Sequence, residues 1–300
     1  MRDRGHLLTE HPNPKSSGLD RMSTAEAFDL MNREDATVAR AVSEARADIC
    51  RAIELVVAAF HSGGRLIYVG AGTSGRLGVL DATECPPTFL SAPTMVQGVI
   101  AGGLEALTRS IEGAEDREEV GAAAVDERSV GPTDVVFGIA TGGTTPFVHG
   151  ALRRSKARGA KTVFLACVPA NQVADEADVS IRVVTGPEVL TGSTRLKAGT
   201  ATKMVLNMVT TIAMARIGKV YGNLMVDVNT AANAKLIDRG TRIVQTITEL
   251  SRDEARRLLD SAQGQVKTAI VMHARQVDRS TAERLIKESD GPLARILAES

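Results

Sequence analysis

Short apolar runs alternate with helix-like segments through the middle of this chain. Four runs, at residues 65–70, 134–140, 161–168 and 179–184, are almost continuously apolar. This pattern is typical of strands that are buried on both faces of a parallel sheet. Because helical segments separate the runs, their order predicts an α/β fold with a doubly wound parallel sheet over residues 55–218.

Helical patterns flank this sheet domain on both sides. Residues 1–54 are expected to form an N-terminal arm and helices, and Ser23 and Glu26 have the spacing of a capping box that opens a helix. Apolar residues then recur at helical spacing over 37–60, and a glycine pair follows. The final segment, 219–300, is predicted to be a small C-terminal helical region.

Three loops rich in glycine, serine and threonine follow the predicted strands. We call 70–75 the first loop, 141–145 the second loop and 191–194 the third loop. The carboxyl ends of parallel strands share one sheet edge, where such folds bind their ligands. The first loop opens a helix, whose free N–H groups and dipole attract an anion. One such turn could serve only strand–helix packing, but three together favour a ligand site.

Hydroxyl groups in these loops are the candidate phosphate ligands. The first loop offers Thr73, Ser74 and Gly75, and the third loop offers Ser193 and Thr194. Hydroxyl and backbone N–H groups donate to a phosphate without adding charge. The first loop has neither the lysine nor the spacing of a Walker loop. The pattern therefore predicts a small phosphorylated ligand.

Charged residues beside the loops have alternative interpretations. Glu84 lies near the end of the helix after the first loop, which a proline pair is expected to stop. Spacing alone assigns Glu115 to a solvated helix start, because acids complement the helix dipole. Glu188 is either a surface loop acid or a ligand contact. Arg195 and Lys197 could cap a helix, pair with surface acids or contact a ligand.

Composition excludes several classes of function. Lys plus Arg and Asp plus Glu both number 36, so the zero net charge gives no bulk attraction to nucleic acid or an anionic membrane. Tryptophan is absent and no apolar run is long enough to span a membrane. The histidines lack metal-ligand spacing, so we predict no metal site. No signal peptide is evident, and three scattered cysteines fit a reducing cytoplasm: Cys50, Cys85 and Cys167.

At these residues the chain resembles the N-acetylmuramic acid 6-phosphate etherase family, sugar-phosphate lyases built on a sugar isomerase (SIS) domain. Two long motifs carry the resemblance, GAGTSGRLGVLDATECPP at 70–87 and GPEVLTGSTRLKAGTATK at 186–203. Both are shared otherwise mainly with the related glucokinase regulatory protein. Shorter matching segments lie at 8–10, 19–24, 32–35, 112–116 and 227–229.

The resemblance implies a carbon–oxygen lyase that releases D-lactate from C3 of N-acetylmuramic acid 6-phosphate and leaves N-acetylglucosamine 6-phosphate. The family reaction is elimination followed by hydration. Ring opening acidifies the C2 proton, lactate leaves from C3, and water adds to the unsaturated aldehyde. This chemistry needs an acid and a base but no cofactor. By motif, Glu84 is the proton donor and Glu115 takes the second role, which replaces the assignment from spacing.

The resemblance also implies a homodimer with a sugar-phosphate partner. The implied phosphate contacts are Thr73, Ser74, Ser193 and Thr194, with Glu188 in reserve. One departure concerns the second loop, where family members often read Ser-Gly-Arg-Thr-Pro. Here Gly142 and Thr144 replace that serine and arginine.

Two other functions fit the same motifs. One is a non-catalytic sugar-phosphate sensor similar to the glucokinase regulatory protein, although that protein has a longer, tandem architecture. The other is an aldose–ketose isomerase on the same fold, which would move protons between C1 and C2 only. Lactate release separates the etherase from both. The sequence leaves open whether the sugar comes from peptidoglycan recycling or from uptake.

Overall fold

The computed structural model describes residues 4–228, 230, 234–289 and 293–298. Asn229, which belongs to the matching segment 227–229, lies outside the described residues. The chain forms two compact units. The first comprises residues 1–83 and 94–210, and the second comprises residues 84–93 and 211–300.

The first unit is built on a parallel sheet in the order β2-β1-β3-β4-β5. Leu66 at the start of β1 pairs with Val96 of β2 and with Val135 of β3. The sheet confirms the predicted fold class, but it contains a strand, β2, that the apolar runs did not predict. The strands are β1 (Leu66–Gly70), β2 (Val96–Ile100), β3 (Val135–Ile139), β4 (Lys161–Ala166) and β5 (Val179–Arg182).

Helices cover both faces of this sheet. Ile67 and Val69 pack into one core with residues of α5 and α6, whereas Tyr68 faces α4 and donates a hydrogen bond to Asp81 at 3.1 Å. The helices are α1 (Thr24–Asp35), α2 (Val38–Glu44), α3 (Arg46–His61), α4 (Gly72–Phe89), α5 (Glu118–Glu127), α6 (Pro146–Ala157) and α7 (Lys197–Arg216). Short 3-10 helices lie at Leu8–Glu10, Pro14–Ser16, Leu19–Arg21, Leu104–Leu107 and Ala114–Asp116.

Local signals set several helix ends as expected. The Ser23–Glu26 capping box is formed, because each residue's N–H donates to the other's side chain. The residue order Thr145-Pro146 predicts a helix that begins at the proline, and α6 does begin at Pro146. The prediction of a single helix over 37–60 was wrong. The structure has two helices, α2 and α3, which are divided at Ala45 although no glycine or proline lies there.

The proline pair does not stop α4 where we expected. Pro86 and Pro87 lie inside the helix, which continues to Phe89. A proline removes its own N–H donor, but its carbonyl group still accepts. Leu90 donates its N–H to the Pro86 carbonyl at 3.0 Å and adopts a positive φ of 49°, which ends the helix. α4 therefore continues for two residues beyond the proline pair.

The second unit has a helical core of its own, which confirms the helical character predicted after 219. Val244, Leu259 and Ile270 are among its buried side chains. Among the described residues, no helix is both long and apolar enough to cross a membrane. The elements of the second unit are β6 (Val220–Tyr221), β7 (Leu224–Met225), α8 (Ala234–Thr248), α9 (Arg252–Ser261), α10 (Val266–Arg275), α11 (Arg279–Glu288) and α12 (Leu293–Ala298).

Candidate active site

The strand order places the site at the boundary between β1 and β3. In a sheet ordered 2-1-3-4-5, the crossover connections diverge from this boundary and leave a crevice beyond the strand ends. Gly70, the last residue of β1, is paired with Ile139, the last residue of β3. The first and second loops follow these residues directly. They therefore leave the sheet side by side, as the strand pattern predicted.

The first loop is shaped by close packing of α4 on the strand ends. A Cβ atom placed on Gly75 would lie 2.6 Å from Ile100 Cγ1 and 2.8 Å from the Gly70 carbonyl oxygen, distances that exclude any larger residue. The Gly75 N–H donates to the Ala71 carbonyl at 3.3 Å. Gly75 thus acts in this structure through packing, which brings the start of α4 to the crevice.

Four hydroxyl groups predicted to bind phosphate are free of protein partners. Ser74 is buried, and Thr73, Ser193 and Thr194 are half-buried. In the part of the chain that the structure describes, no residue hydrogen-bonds to any of these side chains. These hydroxyls are accordingly available to hydrogen-bond with water or with a bound polar group. Their free state is therefore consistent with a polar ligand.

The first and third loops meet at Gly199 on α7. A Cβ atom placed on Gly199 would lie 3.7 Å from Thr73 Cγ2 and 3.5 Å from the Thr194 carbonyl oxygen. The third loop is held in a tight turn, since the Ser193 N–H donates to the Leu190 carbonyl at 2.9 Å. The structure therefore brings the hydroxyl-bearing residues of two separate loops to one place.

A cleft of about 390 Å³ opens at this junction, between α4 and α7. Thr73, Arg195 and Lys203 are among its lining residues. The Lys203 ammonium group donates to Asp81 at 2.8 Å and to Asn207 at 2.6 Å. Arg195 is exposed, and no residue of the described ranges forms an ion pair or hydrogen bond with it. The cleft thus holds a cation whose charge is not neutralised by the protein.

Glu115 lies between the first and second loops. It is exposed on the 3-10 helix that precedes α5, and it lines a cleft of about 300 Å³ together with Ala71 and Gly72. It also lines a larger cleft of about 1430 Å³ that includes Thr144. The carboxylate is therefore both a solvated acid near a helix start and a residue of the crevice.

Glu84 is placed differently. It is exposed on α4, ten residues beyond Ser74. Ten residues of a regular helix span about 15 Å along its axis. Glu84 belongs to the second of the two compact units.

Glu188 is an interior residue and not a surface loop acid. Its carboxylate is fully buried and accepts the N–H groups of Lys197 at 3.0 Å and Ala198 at 2.9 Å. Burial raises the pKa of Glu188, although these two hydrogen bonds oppose the shift. The role that the structure gives Glu188 is to cap the start of α7.

The second loop has a different chemistry from the other two. Gly143 adopts a positive φ of 81°, and His149 Nε2 donates to its carbonyl oxygen at 2.7 Å. A Cβ atom placed on Gly142 would lie 3.8 Å from Thr9 Oγ1. That hydroxyl is buried and has no hydrogen-bond partner among the described residues. Gly142 therefore leaves room where family members often carry a serine.

Comparison with known proteins identifies the family. Residues 48–156 match the glucokinase regulatory protein N-terminal SIS domain, and residues 119–212 match the SIS domain. The chain is 55% identical to N-acetylmuramic acid 6-phosphate etherase from Crocosphaera subtropica over 293 residues, which cover 98% of this chain and 96% of that protein. The chain belongs to the N-acetylmuramic acid 6-phosphate etherase family.

A second etherase and a solved structure are also similar to this chain. The etherase from a Picosynechococcus species is 56% identical over 290 residues, which cover 97% of this chain and 96% of that protein. A solved phosphoheptose isomerase from Francisella tularensis is 16% identical with a TM-score of 0.49, and the match covers 65% of this chain and all (100%) of that one. The identities to the two etherases confirm the family that the two motifs indicated.

Sequence analysis missed one buried group beside the site. Lys197 was expected to cap a helix, pair with a surface acid or contact a ligand, but it pairs with the buried acid Glu34 at 2.7 Å. Both residues lie in segments that resemble the etherase family, 32–35 and 186–203. That resemblance was the available signal, but spacing alone could not show that the two residues meet.

Proposed function

We propose that this chain cleaves the D-lactyl ether of N-acetylmuramic acid 6-phosphate and releases D-lactate and N-acetylglucosamine 6-phosphate. The observation that carries the proposal is the 55% identity to an etherase over 98% of the chain. The enzyme is accordingly a carbon–oxygen lyase. The sensor and isomerase alternatives are not favoured by this similarity.

The phosphate of the substrate binds where the first and third loops meet. Thr73, Ser74, Ser193 and Thr194 donate their hydroxyl protons to its oxygens, and the start of α4 contributes free N–H groups and a favourable dipole. The unpartnered state of these hydroxyls supports the assignment. Arg195, which is free in the same cleft, supplies positive charge to the phosphate.

The sugar reacts in its open form, in which the C1 aldehyde acidifies the proton on C2. A base removes that proton, the C3–O bond breaks, and its electron pair leaves on the lactate oxygen, which takes a proton from an acid. Water then adds at C3 of the unsaturated aldehyde. Glu115 is the base, because it borders the first and second loops. Glu84 is the acid, as its place in the etherase motif implies.

The acid that serves a given phosphate comes from a second copy of the chain. About 15 Å of helix separate Ser74 from Glu84, which is longer than the path from the phosphate to C3 of a hexose. A homodimer resolves this mismatch.

We place the enzyme in the cytoplasm. No disulfide joins the three cysteines, and two of them, Cys85 and Cys167, are buried, which suits a reducing compartment. The reaction would serve the breakdown of N-acetylmuramate that comes from peptidoglycan recycling or from uptake.

The test is D-lactate release from N-acetylmuramic acid 6-phosphate, with a chelator present and no metal added. We expect catalytic release of lactate together with N-acetylglucosamine 6-phosphate. Binding of the sugar without lactate would favour the sensor and contradict the proposal. Conversion between an aldose and a ketose phosphate without lactate would favour the isomerase.

A further inference from the structure

A buried ionic cluster adjoins the third loop and has no part in the chemistry proposed above. Its centre is the ion pair between Glu34 on α1 and Lys197 at the start of α7, with Nζ and Oε2 2.7 Å apart. Both side chains are buried. A buried ion pair contributes little net stability, because desolvation offsets the attraction between the charges. Its geometry is therefore the feature that needs an explanation.

Two residues of the N-terminal arm complete what we call the Glu34 cluster. Asn13 Nδ2 donates to Glu34 Oε2 at 3.0 Å and to the Pro187 carbonyl at 3.3 Å. Lys15 Nζ donates to Glu34 Oε1 at 2.7 Å, although its side chain is largely exposed. Both oxygens of Glu34 are thus occupied. Although burial alone would raise it, these hydrogen bonds hold the pKa of Glu34 at about 2.

The start of α7 is consequently fixed from two directions. The Lys197 side chain is held by Glu34, while the backbone N–H groups of Lys197 and Ala198 donate to the buried carboxylate of Glu188. Lys197 follows Thr194 by only three residues. A displacement of Lys197 would therefore move the hydroxyls of the third loop.

We infer that Glu34 and Lys197 are positioning residues that hold Ser193 and Thr194 in the geometry that binds the substrate's phosphate. The inference rests on the proposed function, in which the third loop binds that phosphate. Hydroxyl donors on a loop bind well only when they are held to within about 0.5 Å. The charge-assisted hydrogen bond between Lys197 and Glu34 specifies direction and distance, whereas an apolar contact in the same space specifies neither.

The decisive variant removes both charges together. Glu34→Gln or Lys197→Met alone leaves a buried charge without its partner, so either can destabilise the fold for that reason only. The double variant Glu34→Gln/Lys197→Met leaves no unpaired buried charge and is expected to fold. Lys15→Met is the matched control, because Lys15 also binds Glu34 but is largely exposed and, among the described residues, forms no hydrogen bond or ion pair with α7. Thermal unfolding of each variant sets an assay temperature at which all are folded.

The readouts are kcat and KM for lactate release and the Kd for N-acetylglucosamine 6-phosphate by calorimetry. The phosphate is bound alike in the ground and transition states, so a loosened third loop raises KM by about tenfold and leaves kcat within about twofold. The Kd should rise by the same factor as KM. Lys15→Met should leave all three values close to those of the unaltered enzyme.

A lower Tm with unchanged KM and Kd in the double variant would overturn the inference, since the cluster would then be purely structural. An unaltered chain that binds the sugar phosphate but releases no lactate would sink only the proposed reaction, and the Kd comparison would still decide the role of the cluster. A chain that binds no sugar phosphate would overturn both.

Discussion

The proposed phosphate-binding residues, which we call the phosphate side, are Thr73, Ser74, Ser193 and Thr194. Their placement in the chain differs from that of Glu84, the proposed acid. On the phosphate side, residues far apart in sequence are drawn together, since Thr73 and Thr194 both approach Gly199 within 4 Å of a Cβ placed there. Glu84, in contrast, stands exposed on α4 about 15 Å along the helix from Ser74. Under the proposed function, one chain supplies the residues that bind the phosphate, and a second copy supplies the acid.

The largest expected effect comes from removing the acid while leaving the phosphate side intact. Glu84→Gln should lower kcat by about 10²- to 10⁴-fold, the usual contribution of a general acid or base. The Kd for N-acetylglucosamine 6-phosphate should not change, because the amide keeps the size of the side chain. Steady-state kinetics and calorimetry measure the two. Glu44→Gln, at an exposed position on α2, is the control, and wild-type turnover in Glu84→Gln would remove Glu84 from the mechanism.

A smaller effect, on KM and not on kcat, is expected when hydroxyls of the phosphate side are removed. Ser74→Ala and Ser193→Ala each remove one hydrogen bond to a charged group, which is worth about 1.5–3 kcal/mol and corresponds to a rise in KM of about ten- to 100-fold. The kcat should change little, because the bond exists in both states. Ser261→Ala on α9 is the control. If both variants keep the wild-type KM, the phosphate binds elsewhere.

Low pH should reduce the contribution of the Glu34 ion pair to the stability of the fold. Its pKa is about 2 in the folded chain against an ordinary 4.5, so its ion pair stabilises the fold fully above pH 4.5 and progressively less as pH falls toward 2. The difference in Tm between the unaltered chain and Glu34→Gln should therefore shrink from pH 6 to pH 3. A difference that stays constant over this range would mean that Glu34 is not held ionised by its partners.

The smallest effect concerns the second loop. Gly142→Ser should place a hydroxyl within hydrogen-bond reach of Thr9 Oγ1, which has no partner among the described residues. The gain in the free energy of unfolding should be about 1 kcal/mol, measured by denaturant titration. Gly142→Ala, which adds a side chain without a donor, is the matched control. Equal stability of both variants would show that Thr9 is not the partner.

Much of the fold was predictable because its signals are local. Continuous apolar runs marked four strands, and the Ser23–Glu26 pair and Pro146 marked helix starts. β2 was not predicted, because Gln97 and Gly98 interrupt its apolar run. A Cβ atom placed on Gly98 would lie 2.6 Å from Val79 Cα on α4, so that glycine is required by packing between distant segments. Such a requirement leaves no pattern in the strand itself.

Part of the site was predictable, because local sequence signals mark its loops. Strand ends placed the first and second loops together, and the hydroxyl-rich motif marked the third. Burial was not visible in the sequence, which is why Glu188 resembled a loop acid although it caps α7. For Glu115, spacing indicated a solvated acid and the resemblance indicated a site residue. The structure agrees with the first, since Glu115 is exposed, and places it in two clefts.

The origin of the acid can be measured directly by co-expressing Glu84→Gln and Glu115→Gln chains. If the two glutamates of one site come from different copies, each mixed dimer has one site with both glutamates and one with neither. Half of randomly formed dimers are mixed, so about one quarter of the wild-type lactate release should return, although each variant alone is inactive. Activity no greater than the sum of the separate variants would contradict a site shared between two copies.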